Sequence, residues 1–164
     1  MANQESGTAT ANESPAQGDA AAGVPFVDDY LLALLAQASQ ILSAEFHAVV
    51  IRRGLSVTDW RVLSSLAGGG PVSIGRLAQI SVTKQPTVTR ALERMIQRGH
   101  VERVRHHGDR RVNLVRITPA GQAMVAELMR EAKQHEAEII APFGQERAEL
   151  LKATLRELIR QHRC

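Results

Sequence analysis

Aromatic residues are scarce in this chain, at 3%: one Trp, one Tyr and three Phe. A core must therefore come from Leu, Val, Ile and Ala. With 44% hydrophobic residues the material is ample, and that balance favours helices over a β-sandwich or barrel. Cysteine is almost absent. The only one is Cys164, the last residue, which excludes an intramolecular disulfide and a thiolate metal cluster and points to a reducing cytosol. No apolar run approaches the roughly 18 residues of a membrane span. The N-terminus has no basic segment leading into an apolar stretch, so no signal peptide is expected. The expected location is cytoplasmic, without a membrane partner.

Catalytic and metal signatures are missing as well. Gly68-Gly69-Gly70 lacks a following Lys-Ser/Thr and reads as a connection, not a phosphate loop, and there is no Gly-x-Ser-x-Gly elbow. Six histidines are present. His106 and His107 are adjacent, whereas His47, His100, His135 and His162 are scattered, with no His-three-His spacing. Metal sites need three or four convergent donors. No enzyme activity, metal or cofactor is expected. Cys164 next to Arg163 could have a redox role, but a terminal residue couples poorly to any binding geometry.

Charge is unevenly distributed. Residues 1–25 hold Glu5, Glu13 and Asp19 and no Lys or Arg, so the remainder is more basic than the net charge of +3 implies. A basic balance concentrated in one stretch is the footprint of a polyanion partner. Residues 1–25 are also poor in large apolar side chains and are expected to be a disordered tail.

The length of 164 residues suits one domain, or two small lobes sharing a core. Leu31, Leu34, Leu35, Ala38, Leu42, Phe46, Val49 and Val50 recur at three- and four-residue steps. They predict one long helix over about 27–53, stopped by Gly54. Ser56-Val57-Thr58-Asp59 resembles a capping box with Asp in place of Glu. The helix it starts should turn Val57, Trp60, Leu63 and Leu66 inward. Ser73 caps a short helix carrying Ile74, Leu77 and Ile80. Thr83 is expected to cap the next, from Lys84 to about Arg98, with Pro86 in its first turn and Val88, Ala91, Leu92, Met95 and Ile96 as its buried stripe. Val101 to His106 and Val112 to Ile117 read as a hairpin. Thr118-Pro119 starts a helix that could run to Ala141. A last amphipathic helix carries Leu151, Leu155, Leu158 and Ile159.

The stretch from Ser73 to Thr118 carries the functional signal. The second of its helices opens with Lys84, Gln85, Pro86, Thr87, Thr89 and Arg90, with Arg94 a turn later. Small hydroxyl and amide side chains beside cations at an exposed helix N-terminus suit base edges flanked by phosphates. The hairpin carries Arg103, Arg105, Arg110, Arg111 and Arg116 around His106-His107-Gly108-Asp109. A helix for the major groove followed by a basic ribbon is a winged helix-turn-helix. The fold class expected is mainly α with a small antiparallel β-ribbon: a winged helix-turn-helix lobe over 55–118, flanked by dimerisation helices at 26–54 and 119–164. The terminal helices carry apolar stripes too wide to cover each other, which predicts a homodimer matched to a pseudo-palindromic duplex.

This order of elements resembles the MarR family of bacterial transcription regulators over roughly 27–162. The most specific part is Asp109-Arg110-Arg111 followed by Ile117-Thr118 and Pro119-Ala120-Gly121, similar to the family's wing signature. Trp60-Arg61-Val62-Leu63 and Pro86-Thr87-Val88-Thr89-Arg90 are similar to family patterns too. The resemblance implies that Arg111 is the wing arginine for the minor groove, held by Asp109, and that Gln85, Thr87, Thr89 and Arg90 meet bases while Lys84 and Arg94 meet the backbone. It also implies a repressor released by a phenolic or aromatic carboxylate effector. His47, Trp60 and Arg61 could supply a polar edge, an aromatic wall and a cation for it. A constitutive DNA-binding protein and a winged helix used for protein contacts are the alternatives.

Overall fold

Local signals set the boundaries of most elements. The structure, a computed structural model, describes residues 24–105 and 113–162, the side chains of Arg105 and Asn113 excepted. The expected disordered tail therefore lies almost wholly outside the described residues, and so do Asp109, Arg110 and Arg111. In chain order the elements are α1 (Phe26–Asp29), α2 (Leu31–Arg52), α3 (Val57–Leu66), β1 (Val72–Ser73), α4 (Ile74–Ile80), α5 (Gln85–Gln97), β2 (Val101–Arg105), β3 (Asn113–Ile117), α6 (Pro119–Ile140) and α7 (Gln145–Gln161). Cα packing divides the chain into Met1–Ala36 and Gln37–Cys164. From Gln37 on, the helices that flank the DNA-binding elements belong to the same unit as those elements.

The first helix is not continuous as expected. Tyr30 is extended (φ −89°, ψ 111°) and separates α1 from α2. Its ring stacks on Phe26 at 4.9 Å. The break leaves Asp28 and Asp29 just before the α2 N-terminus, where unpaired N–H groups favour negative charge. Helix α2 also corrects the expectation about membrane-length segments. Its 22 residues have a hydropathy of 1.3, long and apolar enough by length and composition to cross a membrane. Its C-terminal half nevertheless contributes Phe46 and Val50 to the core.

Ser56 caps α3 by accepting from the Asp59 N–H (3.0 Å), and Ser73 caps α4 by accepting from the Arg76 N–H (3.2 Å). The buried face of α3 is wider than expected, because α3 packs against α4, α5 and α6. Val62, Leu63, Leu66 and Asp59 are buried, whereas Val57 and Trp60 are only half-buried. Thr83 does not cap α5. Val82 has φ +50°, and this turn brings the Thr83 hydroxyl onto the Ser81 carbonyl (2.9 Å). Lys84 holds the N-cap position, with no side-chain capping bond. Pro86 sits in the first turn and Val88, Ala91, Leu92 and Met95 are buried, as expected.

The sheet has a third strand that was not foreseen. Its order is β1-β3-β2, all antiparallel, with Val72 opposite Val115 and Val101 opposite Ile117. Two residues are too few to show a period-two pattern. The junction after the hairpin is tightly locked. Thr118 accepts from the Gly121 N–H (3.1 Å), as an N-cap should, and its hydroxyl donates to the Gly99 carbonyl (2.6 Å). Gly99, just past α5, has φ +73°, the left-handed geometry that ends many helices. A Cβ on Gly121 would stand 2.2 Å from the His100 carbonyl oxygen, so only glycine lets α6 start this close to the end of α5.

Candidate nucleic-acid interface

The chain alternates buried and exposed residues along α5 so that one face is polar and open. Lys84, Gln85, Pro86, Thr87, Arg90, Glu93 and Arg94 are exposed and Thr89 is half-buried. The Thr89 hydroxyl donates to the Gln85 carbonyl (3.0 Å), which satisfies its one donor within the helix. The Gln85 amide oxygen lies against α4, 3.7 Å from where a Cβ on Gly75 would sit. Helix α4 adds Arg76, exposed and bonded through Nη1 to Gln79 Oε1 (3.3 Å). Sequence reasoning passed over this cation. Its position on the first helix of a helix-turn-helix, the one that crosses the backbone, is the signal that could have found it.

Two cations counted toward the basic surface have partners inside the chain. Arg116 lies directly opposite Glu102 in the hairpin register and donates to its Oε1 through Nε (2.9 Å) and Nη2 (2.6 Å). Arg94 donates through Nη2 to Asp59 Oδ1 (3.0 Å) and through Nη1 to the Arg90 carbonyl (3.3 Å). Asp59 was read from the sequence as half of a capping box, yet its carboxylate is buried against Arg94. No ion pair between described residues engages Lys84, Arg90 or Arg103. Arg103 is exposed on β2, and Arg105 is the last residue of that strand.

Of the three residues considered for a ligand, Arg61 lines a cleft of about 320 Å³ together with Ser39, Ser64, Ser65, Ile80, Ser81 and Val82. His47 and Trp60 are not in that lining. Trp60 packs edge-on against Phe46 at 5.3 Å, and Phe46 lies 5.8 Å from the His135 ring. Burial holds the His47 pKa below its ordinary value, with the Arg61 charge as the second cause. His47 and Arg61 therefore sense each other electrostatically while Trp60 belongs to the edge of the core. Among the described residues no group of three His, Cys, Asp or Glu side chains could hold a metal.

A helix-turn-helix with an open polar second helix, followed by a β-ribbon and a long helix, invites comparison with known regulators. The family model described as MarR family matches residues 53–112. A solved MarR family transcriptional regulator from Silicibacter pomeroyi is 39% identical with a TM-score of 0.71, over 82% of this chain and 96% of that one. The chain belongs to the MarR family. Its members are transcription regulators, not enzymes, and this one is a DNA-binding regulator of the winged helix-turn-helix class. Among its relatives, the homoprotocatechuate degradative operon repressor of Escherichia coli is 28% identical over 131 residues, 80% of this chain and 88% of that protein. The crystal structure of NadR in complex with 4-hydroxyphenylacetate is 27% identical, with a TM-score of 0.70 over 76% of this chain and 88% of that one.

Proposed function

We propose that this MarR family member is a cytoplasmic, homodimeric repressor that reads a pseudo-palindromic operator with α5 and releases it when a small aromatic acid binds. The observation that carries the DNA reading is the open first two turns of α5. Lys84, Gln85, Thr87 and Arg90 project from them, no acid precedes Glu93, and neither cation is paired with a described residue. Thr87, Thr89 and Arg90 meet base edges, Lys84 meets phosphate, and Arg111, braced by Asp109, enters the minor groove, whose narrow stretches attract arginine. Arg90→Ala should weaken a selected operator by about 1–3 kcal/mol and relax its sequence preference. Lys84→Ala should weaken all duplexes alike. Gel-shift titrations of selected and random duplexes check both; an Arg90→Ala variant that binds both as the native protein does would overturn the placement.

Dimerisation rests on the apolar side chains the chain leaves uncovered. Helix α7 buries only Ala148 and leaves Leu150, Leu151 and Ile159 exposed, and α2 leaves Ile41, Leu42 and Ile51 exposed. A second copy would cover these surfaces and present two recognition helices about one helical turn apart.

The effector reading rests on the Arg61 cleft. It holds a cation among serine hydroxyls, and its wall includes Ile80, Ser81 and Val82, the turn that leads into α5. A carboxylate on Arg61 would touch the element that aims the recognition helix. The names of two relatives, one tied to homoprotocatechuate and one crystallised with 4-hydroxyphenylacetate, support an aromatic acid as the ligand class. A tenfold preference per site for the non-binding geometry is worth about 1.4 kcal/mol. Aromatic acids that raise the melting temperature should also dissociate the operator complex, and Arg61→Ala should abolish both effects. Ligands that stabilise the protein but leave operator affinity untouched would make it a constitutive DNA-binding protein.

A further inference from the structure

Asp59 is the only charged side chain buried among the described residues. Its carboxylate is 8% exposed and faces Arg94, which is 49% exposed. Its backbone N–H is taken by the Ser56 hydroxyl, so the carboxylate is mounted on a fixed first turn of α3. Arg94 spends its two terminal nitrogens on different elements, Nη2 on Asp59 and Nη1 on the Arg90 carbonyl. The bond thus joins α3 to α5 at the residue one turn beyond Arg90.

Adhesion alone does not require such a pair, because apolar residues of similar volume hold two helices at least as well. A charged, hydrogen-bonded pair adds direction. At about 100° per residue, Arg94 falls between Arg90 and Thr87, and the three span about 60° around the α5 axis. Arg94 therefore anchors the far end of the same face whose near end carries the base-reading side chains. A roll of about 20° would move a side-chain tip some 5–6 Å from the axis by about 2 Å, enough to break a base contact.

We propose that Asp59 is a positioning residue for sequence discrimination: through Arg94 it sets the rotation of α5, and Arg94 serves this brace in place of a phosphate contact. The proposal rests on the reading of α5 as the recognition helix. Asp59→Asn keeps the shape, weakens the bond and frees a cation, so random-duplex affinity should hold or rise while operator affinity falls.

The test uses the full chain, a duplex selected by the native protein from a random pool, and an unselected random duplex. Asp59→Asn and Arg94→Met should each lower the ratio of the two affinities about tenfold. The double variant should fall no further than the worse single one, and Asp59→Glu should recover part of the ratio. A purely structural bond would lower the melting temperature with the ratio unchanged, which would overturn the proposal. So would Arg94→Met weakening both duplexes alike while flattening the salt dependence by about one unit, the signature of a phosphate contact. If Asp59→Asn does not fold, the half-exposed Arg94→Met decides between the same outcomes. A native protein that enriches no sequence removes the reading of α5, and the proposal with it.

Discussion

Helices α5 and α7 treat their apolar residues in opposite ways. The first, 13 residues long, buries Val88, Ala91, Leu92 and Met95 within its own chain; the second, at 17 residues, buries Ala148 alone. Around α5 the packing is complete: α3, α4 and β2 close on it, Gly121 brings the start of α6 against its end, and Asp59 fixes its rotation. Helix α7 is tied to α6 through a half-buried Lys152 and an exposed Glu136 (3.2 Å), a surface pair that contributes little. A rigid reading head and an unfinished lever are what a dimeric DNA reader needs, since the head must hold its shape while the spacing between two heads is set by assembly.

The comparison breaks most sharply at α7. Removing residues 146–164 should leave the head folded but monomeric, with operator affinity reduced on the order of 10²- to 10⁴-fold through loss of the second contact. Light scattering and an operator titration measure the two halves of this statement. A truncated protein that remains a dimer would place the interface elsewhere.

The rigidity of the head is tested at Gly121. A methyl group there meets a backbone oxygen that cannot step aside, so Gly121→Ala should destabilise by about 1–3 kcal/mol despite the helix-favouring side chain. At about 2–4 °C per kcal/mol for a chain of this size, melting should fall measurably. An unchanged melting temperature would mean that α6 can move off α5 freely.

Val82 offers a change of the opposite sign. It is β-branched, 82% exposed and at φ +50°, a conformation that costs about 1–2 kcal/mol outside glycine. Part of the gain on substitution is returned as unfolded-state entropy. Val82→Gly should therefore stabilise by about 1 kcal/mol or less in a denaturant titration, while loosening the turn that aims α5. If operator affinity also rises, the turn has no role in setting the helix.

The smallest effect concerns pH. His47 has a pKa below 6.5 in the folded chain and 6.5 as its ordinary value, so the unfolded chain binds the proton first. Stability should fall as pH drops through 6.5 toward the lower folded value and then level off. His47→Gln should flatten that part of a stability–pH profile.

Much of the head was legible because its signals are local. Ser56, Ser73 and Thr118 cap the helices they were expected to cap, Pro86 and Pro119 lie in first turns, and the stripe from Val88 to Met95 faces inward. Each depends on residues within a turn of one another, where backbone hydrogen bonding and helical periodicity decide the outcome. Tyr30 was missed because the apolar spacing continues across the break, and Thr83 because a valine at positive φ is not expected between two helices.

The family and the polar face of α5, with no acid before Glu93, were determined by the sequence itself, since side-chain chemistry at fixed helical spacing needs no knowledge of what packs behind it. Tertiary structure alone decided that β1 completes the sheet, that Gly121 must lack a side chain, and that Arg94 turns to Asp59 across 35 residues. Those features arise where distant segments meet. Their energies come from burial and direct contact between elements, which no pattern within a single element encodes.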